Sequence, residues 1–172
     1  MATIIGVCGS GFLKDDDTEI SLIAEQVGTE IARHNGILIC GGKGGVMEAA
    51  CKGAKQKGGL TIGILPYQKE EKNPYVDIPI ITGIGEKRNA IIVQSSDCII
   101  ALAGRWGTLN EITLAGIYQT PIVFLKDTKG FVDSFIQSDF LINYPTDYAI
   151  ASSASEAVTQ AIQLAEQSHP KH

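Results

Sequence analysis

Between an apolar run, Asp97-Cys-Ile-Ile-Ala-Leu102, and a helix-like one, Leu109 to Tyr118, lie Gly104, Arg105, Gly107 and Thr108, with Glu111 just beyond. Glycines and a threonine at a strand-to-helix junction can leave several backbone N–H groups aimed at an anion. The helix N-terminus adds roughly half a positive charge. Gly104 to Thr108 is therefore a candidate phosphate cradle, and Glu111 is a carboxylate placed to act on whatever the phosphate anchors. A plainer alternative is a helix start with Thr108 as N-cap and an acidic residue that suits the dipole.

Three further turns of this kind occur: Gly9-Ser10-Gly11, Gly41-Gly-Lys-Gly-Gly45, and Gly83-Ile-Gly85-Glu86, which is followed by Arg88. The second fits neither the phosphate-loop spacing G-x-x-x-x-G-K-[ST] nor the dinucleotide spacing G-x-G-x-x-G, so neither of those nucleotide modes is expected. Lys43 could pair with a phosphate or remain a solvated lysine. Arg88 could hold an anionic ligand or belong to an exposed trio with Glu86 and Lys87. Trp106, the single tryptophan, reads as a partly buried plug in preference to a stacking platform.

The elements that must position these residues alternate. Thr3 to Cys8, Ile37 to Cys40, Leu60 to Leu65, Ile78 to Thr82, Asp97 to Leu102, Pro121 to Leu125 and Tyr148 to Ala151 are short β-branched or apolar runs. Helical patterns fall between them, including Ile20, Ile23, Ala24, Val27 and Ile31 on one face, Val46 to Lys57, Glu86 to Ser95, Gly130 to Leu141, and Glu156 to Gln167. Strand and helix in this rhythm predict an α/β fold: one doubly wound, Rossmann-like parallel sheet with helices on both faces. It spans residues 1–168, with a polar tail at 169–172. Pro79 suggests that its strand lies at an edge or is bulged. In such a sheet all strand-to-helix turns share the carboxyl rim, and ligands bind where strand order reverses. The candidate phosphate or nucleotide set on that rim is Gly9, Ser10, Gly42, Gly44, Gly45, Gly104, Arg105, Gly107 and Thr108, with Arg88 and Glu111 facing it.

A net charge of −5 argues against nucleic acid as a partner, because backbone binding needs a basic surface. No apolar run reaches the roughly 20 residues that span a bilayer, so no membrane association and a cytoplasmic location are expected. Cys8, Cys40, Cys51 and Cys98 form no C-x-x-C pair and read as reduced core residues, and the histidines are unsuited to a metal site. We expect no metal.

Taken together, these residues resemble the Lonely Guy (LOG) family and the related Rossmann-fold group that includes molybdenum-cofactor carrier proteins. LOG enzymes carry P-G-G-x-G-T-x-x-E, and the same register here is Ala103-Gly104-Arg105-Trp106-Gly107-Thr108-Leu109-Asn110-Glu111. The upstream G-G-G-x-x-G-L-M-G is similar to Cys40 through Glu48, and the family's arginine-lysine pair to Arg88-Asn89. The resemblance covers nearly the whole chain in element order. It implies an N-glycosidase that releases a base from a nucleoside 5′-monophosphate, giving ribose 5-phosphate, with no cofactor and as a homodimer. Gly104, Gly107 and Thr108 would hold the phosphate, while Arg88 and Glu111 would be the catalytic pair at the ribose, where oxocarbenium charge develops. This sequence departs from the pattern at Ala103, Arg105, Asn89, Cys40 and Glu48. These departures lie closer to the carrier-like branch, for which binding of a phosphorylated ligand without turnover is the implied role. Arg105 would then favour a more anionic ligand such as a pterin phosphate.

Overall fold

Seven short apolar segments become strands; the inner ones are largely buried on both faces, the condition under which a parallel sheet is stable, while the two edge strands keep side chains in solvent. The computed structural model describes residues 2–168; the predicted tail at 169–172 lies outside them. The strands are β1 (Ile4–Cys8), β2 (Ile37–Cys40), β3 (Leu60–Leu65), β4 (Ile78–Ile81), β5 (Cys98–Leu102), β6 (Ile122–Leu125) and β7 (Tyr148–Ala151). They form one parallel sheet in the order β4-β3-β2-β1-β5-β6-β7. β1 is the switch strand: Ile5 stands opposite Leu38 of β2 on one side and Cys98 of β5 on the other. β4, with Pro79, lies at an edge as expected.

Helices α1 (Thr18–Arg33), α2 (Val46–Gln56) and α6 (Ala154–Ser168) pack on one face. There Ile20, Ala24, Val27 and Ile31 of α1 meet Val7, Leu38, Ile100 and Leu102 of the sheet in one apolar core. On the other face, α3 (Asn89–Gln94), α4 (Trp106–Tyr118) and α5 (Gly130–Ile136) cover Ile99, Ala101, Ile122 and Phe124. β5 feeds both layers by simple alternation, Ile100 and Leu102 to one side and Ile99 and Ala101 to the other.

Two predicted helices are shorter than their sequence pattern. The segment from Glu86 opens as a 3-10 turn, Gly85–Arg88, before α3. The one from Gly130 stops at Ile136, where the Ser138 hydroxyl donates to the Phe135 carbonyl (2.7 Å) and a separate 3-10 turn, Asp139–Asn143, follows.

α1 and α2 approach so closely that each places a glycine against the other's backbone. A Cβ on Gly28 would run into the Ala50 carbonyl, and one on Gly53 into the Glu25 carbonyl. The Thr29 hydroxyl donates to the Gly53 carbonyl (3.3 Å), and Lys52 pairs with Glu25 (2.9 Å) across the same seam. In an unpacked helix a glycine-to-alanine change stabilises by about 0.5–1 kcal/mol. Here Gly28→Ala should instead destabilise by about 3 kcal/mol through forced helix separation; urea unfolding checks this, and unchanged or raised stability would contradict the seam.

Candidate functional site

Parallel pairing of β1 with β5 brings the turn after each strand together at the carboxyl rim. The Gly104 amide donates to the Ser10 hydroxyl (3.1 Å), and the Ala103 amide to the Thr128 hydroxyl (2.8 Å). The amides of Phe131 and Val132 at the start of α5 donate to the carbonyls of Gly104 and Ala103 (3.1 and 2.9 Å). Ala103 and Gly104 both lie at positive φ, 52° and 93°. A proline has φ locked near −65° and no N–H, so it could occupy position 103 neither in backbone shape nor in hydrogen bonding. Alanine at this position therefore belongs to a differently clamped turn.

The clamp changes which amides are open. α4 begins at Trp106 with Arg105 as N-cap and no side-chain capping bond. This start is three residues earlier than the predicted one at Leu109, so Thr108 is not the cap. The N–H groups of Trp106, Gly107 and Thr108 occupy the first turn, where the helix itself supplies no acceptor, and they have none among the described residues. The Thr108 hydroxyl is also without a partner although the residue is only 2% exposed. Nothing stands within 4 Å of where a Cβ on Gly107 would project. Gly104, by contrast, contributes a committed amide and a close contact with Thr108.

Gly107 and Thr108 line a cleft of about 340 Å³ together with Gly9, Lys43, Arg88, Arg105 and Glu111. Arg88 is 4% exposed. Its guanidinium donates to Glu86 (2.8 Å) and to the Asn89 side-chain carbonyl (3.1 Å), while its buried Nε has no partner among the described residues. Asn89 in turn donates to Asn110 (2.9 Å), tying α3 to α4. Glu111 is 7% exposed. Burial pushes its carboxyl up to about 7 and Glu86 adds to the rise, against the downward pull of the Cys8 thiol and Arg88. The Cys8 thiol is raised by burial and by Glu111 beside it. The site thus holds a carboxyl able to exchange a proton near neutrality, a desolvated guanidinium, and a ring of free donors.

Of the residues singled out in the sequence, Gly9, Arg88, Arg105, Gly107, Thr108 and Glu111 line this cleft. Ser10 stands behind it as the acceptor for Gly104. Gly42 is turned into the fold, its amide on Cys40 Sγ (3.3 Å) and its carbonyl taken by the Asn73 amide (2.8 Å). Gly44 and Gly45 border a second cleft of about 530 Å³ that shares Gly11 and Phe12 with the first. Trp106 is no plug: it is 77% exposed and packs beside Phe131, ring centroids 5.6 Å apart. The early start of α4 puts it on an outward first-turn position. Sequence reasoning missed Cys8 beneath Glu111, the side chain of Asn89, and Phe12. A broader groove of about 860 Å³ lies between α4, α5 and Pro145, but its lining, including Ile112, Ile117, Phe135 and Phe140, is mostly apolar and offers no acid–base pair.

A model of the SLOG cluster4 family matches residues 2–161. The chain belongs to the SLOG cluster4 family. Within that setting it is 32% identical over 125 residues to a cytokinin riboside 5′-monophosphate phosphoribohydrolase of Mycobacterium tuberculosis, covering 67% of this chain and 66% of that one. Its fold matches the molybdenum cofactor binding protein of Rippkaea orientalis with a TM-score of 0.84 at 38% identity, over 95% of this chain and 98% of the other. It matches the Moco carrier protein of Chlamydomonas reinhardtii with a TM-score of 0.82 at 36% identity, over 97% and 99%. The chain is thus a SLOG protein related in sequence to LOG enzymes and in structure to Moco carriers.

Because the folded Glu111 carboxyl holds its proton up to about pH 7 and an unfolded one releases it near 4.5, the native state binds more protons between those values. Stability therefore falls as pH rises, by about 2 kcal/mol from pH 5.5 to 8 for this group alone. Glu111→Gln should remove that slope and be the more stable protein at pH 8. Urea unfolding across the range measures it, and parallel curves for the two proteins would refute the assignment.

Proposed function

We propose that this protein binds a small phosphorylated ligand at the start of α4 and carries it without consuming it, the ligand being of molybdenum-cofactor type. The observation that carries this reading is the pair of buried donors without partners, Arg88 Nε and Thr108 Oγ1, on one cleft beside the open first turn of α4. Buried donors cost about 1–3 kcal/mol each when unmet, and a phosphate supplies acceptors for both along with charge for the helix dipole. Lys43 and Arg105 on the same cleft suit a ligand with more than one negative charge. Similarity over nearly the full chain to proteins named for binding or carrying this cofactor supports the choice of cargo.

A second reading rests on Glu111. In nucleoside 5′-monophosphate hydrolysis the C1′–N bond breaks, the base leaves with a proton, and water adds to C1′. A carboxyl near pKa 7 can give that proton or take one from water, and ionised it stabilises the oxocarbenium charge, with Arg88 holding the phosphoribosyl group. The Mycobacterium relative supports this reading over the part it covers.

We read the protein as a homodimer, supported by the exposed apolar residues Ile91 of α3 and Trp106 and Ile117 of α4. Buried free thiols at all four cysteines suit a cytoplasmic setting.

The carrier reading predicts that the protein, mixed with molybdenum cofactor released from a donor enzyme, retains molybdenum through gel filtration. Phosphorylated ligand at about 100 times its Kd should raise unfolding free energy by about 2.7 kcal/mol. Gly107→Val should fold normally yet lose at least about tenfold in affinity, since its side chain enters the open space above the helix start. Free base released from a nucleoside monophosphate panel and abolished by Glu111→Gln would overturn carriage in favour of hydrolysis; no retention, stabilisation or base release would sink both.

A further inference from the structure

The second cleft lies between the β1–α1 loop and the start of α2, and nothing so far explains its chemistry. Gly11 and Phe12 line both clefts, so a ligand anchored at α4 can continue past Phe12 into this space of about 530 Å³. Phe12 is 64% exposed, its ring available to a ligand rather than absorbed by the core. Two carboxylates line the cleft, and they differ. Glu25 is committed to Lys52 (2.9 Å) and Gln56 (2.8 Å). Glu48 has no hydrogen-bond or ion-pair partner among the described residues, and its Oε2 stands 3.8 Å from where a Cβ on Gly44 would project. Glu48 sits in the first turn of α2, where the helix dipole favours negative charge. It is also the residue that departs from the glycine ending the LOG upstream motif.

An ionised carboxylate only accepts hydrogen bonds and is matched by two adjacent N–H donors. An exposed aromatic face selects a flat ring. Resting on the phosphate reading above, we infer that the second cleft binds the ring of the same ligand, and that the ring is a 2-amino-4-oxopyrimidine, as in guanine or a pterin. Phe12 stacks on it and Glu48 accepts from its ring N–H and 2-amino group. Adenine offers one amino group beside a ring nitrogen lone pair, which the carboxylate repels.

The test is calorimetric titration of the intact protein with ribose 5-phosphate, AMP, IMP, GMP and 6-hydroxymethylpterin monophosphate. GMP or the pterin should bind at least about tenfold more tightly than AMP, with IMP, which lacks the 2-amino group, between them; the stronger of the two identifies the source of the ring. Glu48→Gln should bring this preference to within about twofold while ribose 5-phosphate binds as before. Phe12→Ala should weaken every ring-bearing ligand by a larger factor than it weakens ribose 5-phosphate. AMP binding as tightly as GMP and the pterin, or a preference that survives Glu48→Gln, overturns the inference. If ribose 5-phosphate binds and the rings add no affinity, this inference falls alone; if none of the five binds, the phosphate reading falls with it.

Discussion

The carboxyl rim is organised by the pairing of β1 with β5. Each strand is short, yet their alignment places the turn after β1 beside the turn after β5, and the Ser10–Gly104 hydrogen bond joins residues 94 positions apart. With that register fixed, Cys8 lies under Glu111, Gly9 lines the cleft, and α4 points its first turn at the space between. A slip of one residue would turn the Ile99 and Ala101 faces into the wrong layer, so the same apolar alternation that builds the core also aims the site.

What results is an electrostatic arrangement with hydrogen-bonding capacity left unused among the described residues, at Arg88 Nε and Thr108 Oγ1. A buried guanidinium and a buried carboxyl line one cleft, but they do not cancel: desolvation prevails at Glu111, and Arg88 turns part of its donor set toward Glu86 and Asn89. Buried charge is tolerated when its hydrogen-bonding capacity is met. Under the carrier reading, an oxyanion above Gly107 would meet it, and each contact would gain strength from the burial of Arg88 and Glu111.

The fold was legible because strand and helix periods alternate without interruption, and Arg88 and Glu111 because their spacing from glycine turns places them on the rim. What remained hidden depends on hydrogen-bond commitments that sequence does not carry. Gly42 and Gly104 look like phosphate glycines, but their amides are already committed, to Cys40 Sγ and to the Ser10 hydroxyl distant in the chain. Thr108 looks like a cap, but the clamp from Thr128 and α5 shifts the helix start upstream and leaves Trp106 in solvent. Phe12 carried no signal, because an exposed aromatic and a buried one are written with the same letter.

The β1–β5 pairing also has a consequence for biosynthesis. As the chain leaves the ribosome, β1 can take β2 as a neighbour early, but its other edge stays open until residues 98–102 have been made. Gly9 to Phe12 then wait, already synthesised, for the turn and helix that complete their cleft. Non-local closure of this kind is slow and leaves a central strand edge unpaired meanwhile. The cleft is therefore among the last features to exist, and its presence reports that the two halves of the sheet have joined.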